Sequence, residues 1–362
     1  MASRGTAWRR TAVSSTGRAG LFPCPDLSTF GEASARPIGA RTIVSCMDPT
    51  PVGMPIPILR RSALRAGYSD NEIRRLRRNG TWTSIRRGGY LQMDGGRSMD
   101  GRLRHELLIR STVPGLRLPA VVSHTSAAVL LGIPLWSTHL GIVQVTRPRP
   151  ATGGRSGSLL CHTAAISESE VMAHGDLEIT TPARTITDLA RTLPFEQAVV
   201  AADGALHQGL LTPDDLTAAA NAVAGAPGSR AAQRVARFAN GLSESVGESR
   251  SRVMMHRAGL PAPELQVEVT AADGRALGRS DFGWHRGQLL GEFDGRLKYG
   301  RLLKPGETPG DAVFDEKARE DALRDGGSRV VRWTWAELAE PTIVVERIRR
   351  AIASIRTEIH VD

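Results

Sequence analysis

SDNEIRRLRRNGTWTSIRRGGYLQ, residues 69–92, is the stretch whose reading decides the fold of the front of this chain. Ser69 and Glu72 stand three apart, the spacing at which each side chain caps the other's backbone amide, so a helix is expected to start after Ser69. It should run to Asn79 and stop at Gly80. Within it Ile73 and Leu76 supply a buried stripe, which leaves Arg74, Arg75, Arg77 and Arg78 on the exposed faces. Trp82 to Arg86 and Gly89 to Gln92 then read as two strands of a hairpin turned near Arg87-Gly88-Gly89.

Upstream, Ile58 to Gly67 reads as a short helix ending at a glycine. Helix, turn, charged helix and hairpin together predict a winged helix-turn-helix over residues 54–95, with its second helix in the major groove and its wing on the backbone. Nine arginines lie between Arg60 and Arg87, against Asp70 and Glu72 alone. Such a patch releases counterions from double-stranded DNA and makes binding salt-dependent. Arg74, Arg75, Arg77, Arg78, Arg86 and Arg87 are the expected DNA contacts. Arg75 and Arg78 are candidates for reading guanine edges.

The 362-residue chain has room for two or three domains, and its formal charge of +10 points to a polyanionic partner. No apolar run approaches the roughly 18 residues needed to cross a bilayer, so no membrane partner is expected. Three cysteines, Cys24, Cys46 and Cys161, are an odd number without metal-ligand spacing and fit a reducing cytoplasm. Residues 1–53 form a leader whose first 46 residues are rich in Arg, Ser, Gly and Ala and read as disordered. Translation is expected to start at Met47 or Met54, with an organellar transit peptide or a genuine disordered arm as the alternatives.

The middle segment, 96–240, is expected to be mostly helical. Arg102 to Ser111 and a helix capped by Ser123 through Leu131 come first, then candidate strands at Ile142 to Val145 and Leu159 to His162. Thr181-Pro182 opens another helix, cap first and proline next, on which Arg184 and Asp188 can pair. Two more helices follow, Pro194 to about Gln208 and Thr212 to Asn221. Ser123-His124 invites a hydrolase reading, but neighbours on a helix do not face each other and no Gly-x-Ser-x-Gly elbow is present. Ser123 is therefore expected as a cap and His124 as a surface histidine. Gly225 to Arg230 lacks the Gly-Lys-Ser/Thr core of a phosphate loop and reads as a linker turn. His162 and His174 beside Cys161 make no metal set.

The winged segment, Val122-Ser-His-Thr-Ser-Ala-Ala128 and Thr180-Thr-Pro-Ala-Arg-Thr-Ile-Thr-Asp-Leu-Ala190 together resemble the AbiEi-type antitoxin family common in actinobacterial proteomes. The resemblance covers about residues 54–225. It implies a repressor that binds promoter DNA and antagonises a cognate toxin.

Residues 243–362 predict a compact α/β unit: helix (Ser245 to Ala258), strands (Leu265 to Val269, Arg279 to Trp284, Gln288 to Asp294), helix (Asp311 to Asp325), strand (Arg329 to Trp333) and helix (Pro341 to Ile355). Alternation along a strand points Glu292 and Asp294 to one face and Phe293 into the core. If Asp281 heads a neighbouring strand, three carboxylates converge. Two bare carboxylates 4 Å apart repel by roughly 4 kcal/mol at an effective dielectric of 20, so the cluster wants a cation, for which Mg²⁺ is suited. All three lysines, Lys298, Lys304 and Lys317, follow this run within twenty residues.

This order, with Glu248 on the leading helix, Glu292-Phe-Asp-Gly295, Glu316-x-x-Arg319-x-x-x-Leu323 and Val330-Val-Arg332-Trp333, resembles the PD-(D/E)XK restriction-endonuclease-like fold over about 244–340. The nearer likeness is to very-short-patch repair endonucleases. The resemblance implies Asp281 and Glu292 as Mg²⁺ ligands, Glu248 as an outer acid, and a metal-bound water attacking phosphate. Asp294 stands where that pattern has lysine, and Lys298 where the narrower branch often has histidine. Lys298 is then the residue expected to reach back from the following turn. The chain is thus expected to be an α+β multidomain protein of the cytoplasm that binds DNA, either with Mg²⁺-dependent cleavage or as a non-catalytic repressor and antitoxin.

Overall fold

The computed structural model describes residues 55–92, 99–150, 152–270, 276–295 and 328–359, with side chains in the last helix described to residue 355. The leader with Met47, Met54, Cys24 and Cys46, the three lysines, and the helix expected over 311–325 with Glu316, Arg319 and Leu323 lie outside these residues. What is described is an α+β molecule with several sheets.

At the front, β1 (Ile58–Leu59), α1 (Arg60–Arg65), α2 (Asp70–Arg78), β2 (Trp82–Arg86) and β3 (Gly89–Gln92) follow in order. The strands form an antiparallel sheet in the order β1-β3-β2. The expected cap is formed: Ser69 Oγ accepts from the Glu72 amide at 3.2 Å, and Glu72 Oε2 accepts from the Ser69 amide at 2.7 Å. A cap of this kind is worth about 1 kcal/mol. The chain leaves α2 through Gly80 at φ +77°, the left-handed turn that favours glycine. Ala63, Ile73, Trp82 and Tyr90 close a small core, in which the Trp82 and Tyr90 rings stack at 5.6 Å.

Next come α3 (Gly101–Thr112), β4 (Val121–Val122), α4 (His124–Leu130), β5 (Val143–Arg147), β6 (Gly154–Ser156), β7 (Leu159–Thr163), β8 (Val171–His174) and β9 (Leu177–Thr180). The six strands make one mixed sheet, β6-β7-β5-β4-β9-β8, with β5 parallel to β7 and β4 parallel to β9. Helices still predominate across 96–240, but of this sheet only β5 and β7 were expected. β4 has two residues and β6 three fully exposed ones, too few for a period to register. Ile85 and Leu91 of the hairpin share one core with Leu107, Ile109, Val122 and Val145, so the hairpin's back is packed on this sheet.

Four helices follow: α5 (Pro182–Thr192), α6 (Phe195–His207), α7 (Pro213–Ala222) and α8 (Ser229–Phe238). The turn read at Gly225 to Arg230 is present, with Gly228 at φ +79°. It launches α8, a helix the sequence reading lacked.

The rear part comprises α9 (Val246–Arg257), β10 (Glu264–Thr270), β11 (Ala276–Trp284), β12 (Leu289–Asp294), β13 (Arg329–Thr334), α10 (Trp335–Ala339) and α11 (Pro341–Ile359). The sheet order is β10-β11-β12-β13, antiparallel across the first two pairings and parallel across the last. Phe282, Leu289, Trp333 and Ile348 are fully buried between sheet and helices. Trp333 Nε1 donates to Ser251 Oγ on α9 at 2.7 Å, which satisfies the one polar atom of that indole. α9 belongs to two cores at once: Val253 packs with the middle helices and Met254 and Met255 with the rear sheet. Arg252 reinforces the join, donating to buried Asp203 at 2.7 Å and to the Phe238 carbonyl at 2.7 Å.

Candidate nucleic-acid interface and carboxylate cluster

The cap and the apolar stripe of α2 decide which way its arginines point. With Ile73 buried and Leu76 half-buried, Arg74, Arg75, Arg77 and Arg78 are all exposed. Asn71, Arg74, Arg77 and Arg78 line a shallow hollow on the helix. Among the described residues none of the four is in an ion pair, and Arg77 alone has a ring beneath it, Tyr90 at 5.8 Å. Of the two acids in its first turn, Glu72 caps the helix and Asp70 is taken by Arg60 through two hydrogen bonds of 2.9 and 2.6 Å. That bond holds the Asp70 carboxyl below its usual range, with Arg60 raised in return. The helix therefore offers cations in excess to a polyanion.

Of the two wing arginines, Arg87 is exposed and Arg86 is turned inward. Arg86 donates to the Ser111 carbonyl through Nε at 3.0 Å and an Nη at 2.5 Å, and to the Arg87 carbonyl at 3.2 Å. Burial, and then the neighbouring charge of Arg61, lower its pKa. Arg86 thus fastens the hairpin to the end of α3, a role invisible to a count of local charge.

In the rear sheet, Phe282 pairs with Gly291 across antiparallel strands, so one step further along Asp281 and Glu292 occupy opposite positions on one face. Asp281 Oδ2 accepts the Phe293 amide at 2.8 Å. Glu292 Oε2 accepts from Arg332 Nε at 2.8 Å, its register partner on β13. Asp294, two residues on, is half-buried on the same side of the strand. Phe293, between them, is buried edge-on to Trp335 at 4.8 Å.

Glu248 stands apart from the pair in role. Its carboxylate accepts Ser245 Oγ at 2.6 Å, the Glu244 amide at 2.9 Å and Gln266 Nε2 at 2.8 Å, so it caps α9 and ties it to β10. Lys298 lies outside the described residues. Among the described residues no three His, Cys, Asp or Glu side chains gather to hold a metal ion. The charge of Glu292 is met by a guanidinium. As it stands the arrangement fits an ion pair, and a Mg²⁺ ion on Glu292 Oε2 would compete with Arg332.

One polar cluster was read differently from the sequence. Ser123 precedes α4 but caps no amide, and His124 is 5% exposed rather than on the surface. His124 adopts φ +52°, which lets two adjacent side chains meet: Ser123 Oγ lies 2.9 Å from His124 Nδ1, and Thr146 Oγ1 donates to Ser123 Oγ at 2.7 Å. The His124 ring stacks on His162 at 3.7 Å. Burial, then His162, hold the His124 pKa well below the usual value, while burial and then Arg191 lower that of His162. Beside them the expected Arg184–Asp188 pair is formed at 3.0 Å, but deep in the protein, where Arg184 also reaches Glu170 at 2.8 Å and the Ala165 carbonyl at 3.0 Å. With His124 buried and His162 half-buried, the cluster acts as a polar clasp between α4, β5 and β7. The strain at a non-glycine left-handed residue was the signal, and one that sequence cannot display.

No helix among the described residues is long and apolar enough to cross a membrane. No family model matches the chain. Two uncharacterized proteins of Mycobacterium tuberculosis, one from strain CDC 1551 / Oshkosh and one from strain H37Rv, are each 30% identical over 154 residues, 39% of this chain. That match is 56% of each relative, so the chain spans about half the length of the curated relatives it matches. Among solved structures, the crystal structure of the RV2827C protein from Mycobacterium tuberculosis is similar at 13% identity, with a TM-score of 0.35, over 55% of this chain and 76% of that one.

Proposed function

We propose that the chain is a double-stranded DNA-binding protein, gripping the duplex with a winged helix-turn-helix over residues 55–92. The observation that carries this reading is α2: a capped helix, anchored by Ile73, with four exposed arginines outside any ion pair among the described residues. α2 then lies in the major groove, Arg75 and Arg78 face base edges or phosphates, and the β2–β3 hairpin touches the backbone through Arg87. In this reading the chain works as a cytoplasmic repressor, the role that its resemblance to AbiEi-type antitoxins implies, with a cognate toxin as protein partner.

The test is duplex binding by fluorescence anisotropy at two salt concentrations. Arg75→Ala and Arg78→Ala should each weaken binding and lower the salt slope by about one. A wild-type protein that binds no duplex at about 50 mM salt overturns the reading, since non-specific affinity alone should be evident there.

A second reading, Mg²⁺-dependent DNA cleavage in a restriction-endonuclease-like rear unit, is favoured by one observation, the opposed register of Asp281 and Glu292. Asp281 and Glu292 would hold the ion, with Asp294 and Lys298 as the remaining candidates. Plasmid nicking in Mg²⁺ that disappears in Asp281→Ala while duplex affinity persists supports it. Absence of nicking with either Mg²⁺ or Mn²⁺ rejects it.

A further inference from the structure

The hairpin's inward face borders a second basic feature that the winged-helix reading does not use. A cleft of about 420 Å³ is walled on one side by Ile85, Arg86 and Arg87 of the hairpin and on the other by Arg104 of α3 and the β6–β7 turn, Ser156-Gly157-Ser158. Leu108, Leu140 and Gly141 complete its lining. Arg87 and Arg104 are exposed, and no acidic side chain among the described residues pairs with either. Arg61 adds a further unpaired guanidinium close enough to Arg86 to oppose its charge. Like charges crowded round a hollow, with serine hydroxyls and a glycine turn on the facing wall, form a seat for a phosphodiester rather than for a cation or an apolar partner.

We propose that this cleft between the β2–β3 hairpin and the β6–β7 turn holds a second stretch of DNA backbone, so that the middle segment extends the footprint beyond the winged helix. The inference rests on the DNA-binding reading above and names a further part of its interface. Because Arg86 and the shared apolar core fix the hairpin to the middle sheet, a strand lying on the wing meets the cleft in a set orientation. Arg87 and Arg104 then clamp phosphate oxygens from the two walls, with Ser156 and Ser158 donating to the same strand. The site carries no base readout, and its contribution is register and length of contact.

The experiment measures anisotropy on duplexes of graded length for the full chain, Arg104→Ala, Arg104→Glu and Arg75→Ala. Arg104 is exposed and makes no side-chain bond among the described residues, so its variants should keep the wild-type circular dichroism spectrum and melting midpoint. Arg104→Ala is expected to lower the salt slope by about one on long duplexes, shrinking the affinity lost between about 50 and 200 mM salt by roughly threefold. It should have no effect on a duplex only long enough for α2. Arg104→Glu should weaken long-duplex binding further. If Arg75→Ala weakens binding while both Arg104 variants match wild type at every length, the cleft is overturned and the winged helix stands. If the wild type binds no duplex, both fall. If adenosine 5′-monophosphate binds the wild type and not Arg104→Glu, with duplex affinity equal in the two, the cleft serves a free nucleotide and the proposal is overturned.

Discussion

Replacing Gly247 by alanine places a methyl group where the Phe293 ring already lies. A Cβ built on Gly247 would stand 1.9, 2.3 and 2.4 Å from three carbons of that ring, against ordinary carbon contacts of roughly 3.5–4.0 Å. The ring must therefore retreat by more than an ångström, yet it is 8% exposed and abuts Trp335 edge-on at 4.8 Å. Overpacking of this kind costs about 1–3 kcal/mol, and three clashing atoms put it near the top of that range. Glycine to alanine in a helix interior recovers at most about 1 kcal/mol, and Gly247 sits in the first turn of α9, where the recovery is smaller. The net expectation is a loss of about 2 kcal/mol in urea unfolding, followed by the fluorescence of Trp284, Trp333 and Trp335, with the denaturant slope unchanged. Phe293→Ala alone should cost about 3–5 kcal/mol. The double variant should cost no more than Phe293→Ala, because the clash has gone. A Gly247→Ala protein as stable as wild type, or strict additivity in the double variant, would refute the packing argument. The matter bears on function because Phe293 lies between Glu292 and Asp294 and its amide holds Asp281.

Asp203 is fully buried and joins α6 to α9 through Arg252, with its other oxygen accepting the Asn240 amide. Asp203→Ala strands that arginine and should destabilise by about 3–5 kcal/mol in the same assay, more than Asp203→Ala adds once Arg252 has been replaced by methionine. His124 has its pKa depressed by burial and by His162, Arg184 and Arg191 around it, so the unfolded chain takes up the proton first as pH falls. Its contribution to stability is whole above the unfolded value of about 6.5 and is lost as pH falls below it. Urea melts above and below that value should show this loss reduced in His124→Asn, and an unchanged loss tells against the buried neutral imidazole. Arg332→Ala releases Glu292 from its guanidinium; if the paired carboxylates can take Mg²⁺, calorimetric titration should detect tighter binding of the ion in this variant than in wild type, and no heat in either rejects the metal reading.

What was legible in the chain was whatever a local code writes. The Ser69–Glu72 box, the Ile73–Leu76 stripe and the Gly80 stop define α2 within a dozen residues, and the hairpin lies at the bounds read for it. Alternation gave the shared face of Glu292 and Asp294, while the pairing that sets Asp281 opposite Glu292 was only a condition in the sequence and comes from the register of β11 on β12. The misses share one physical cause. β4 exists because β5 and β9 pair with its two residues from either side, and nothing in Val121-Val122 announces a strand. His124 is buried because a left-handed backbone swings its ring under His162, a contact across 38 positions of chain. Arg86 read as a DNA contact until its partner, Ser111, came from 25 residues away, and the partner of Arg332, Glu292, lies 40 residues away.

That last contrast changes what the net charge of +10 means. Arginine supplies all but three of the 47 cationic side chains, and many of these guanidiniums are spent on the protein's own carbonyls. Arg86 holds Ser111, Arg102 holds Val129, Arg184 holds Ala165, Arg191 holds Pro227, Arg252 holds Phe238 and Arg347 holds Arg332. A guanidinium with several fixed donors suits this work better than an ammonium does, which is a structural reason for a chain so poor in lysine. These arginines cannot also neutralise phosphate. Among the described residues, the proposed footprint draws on the cations of α2, the wing tip and the cleft: Arg61, Arg74, Arg75, Arg77, Arg78, Arg87 and Arg104. Seven such contacts correspond to a salt slope of about −6, well short of what the overall charge suggests. A slope near −9 would mean that cations beyond this footprint engage on binding, and one near −4 that only α2 does.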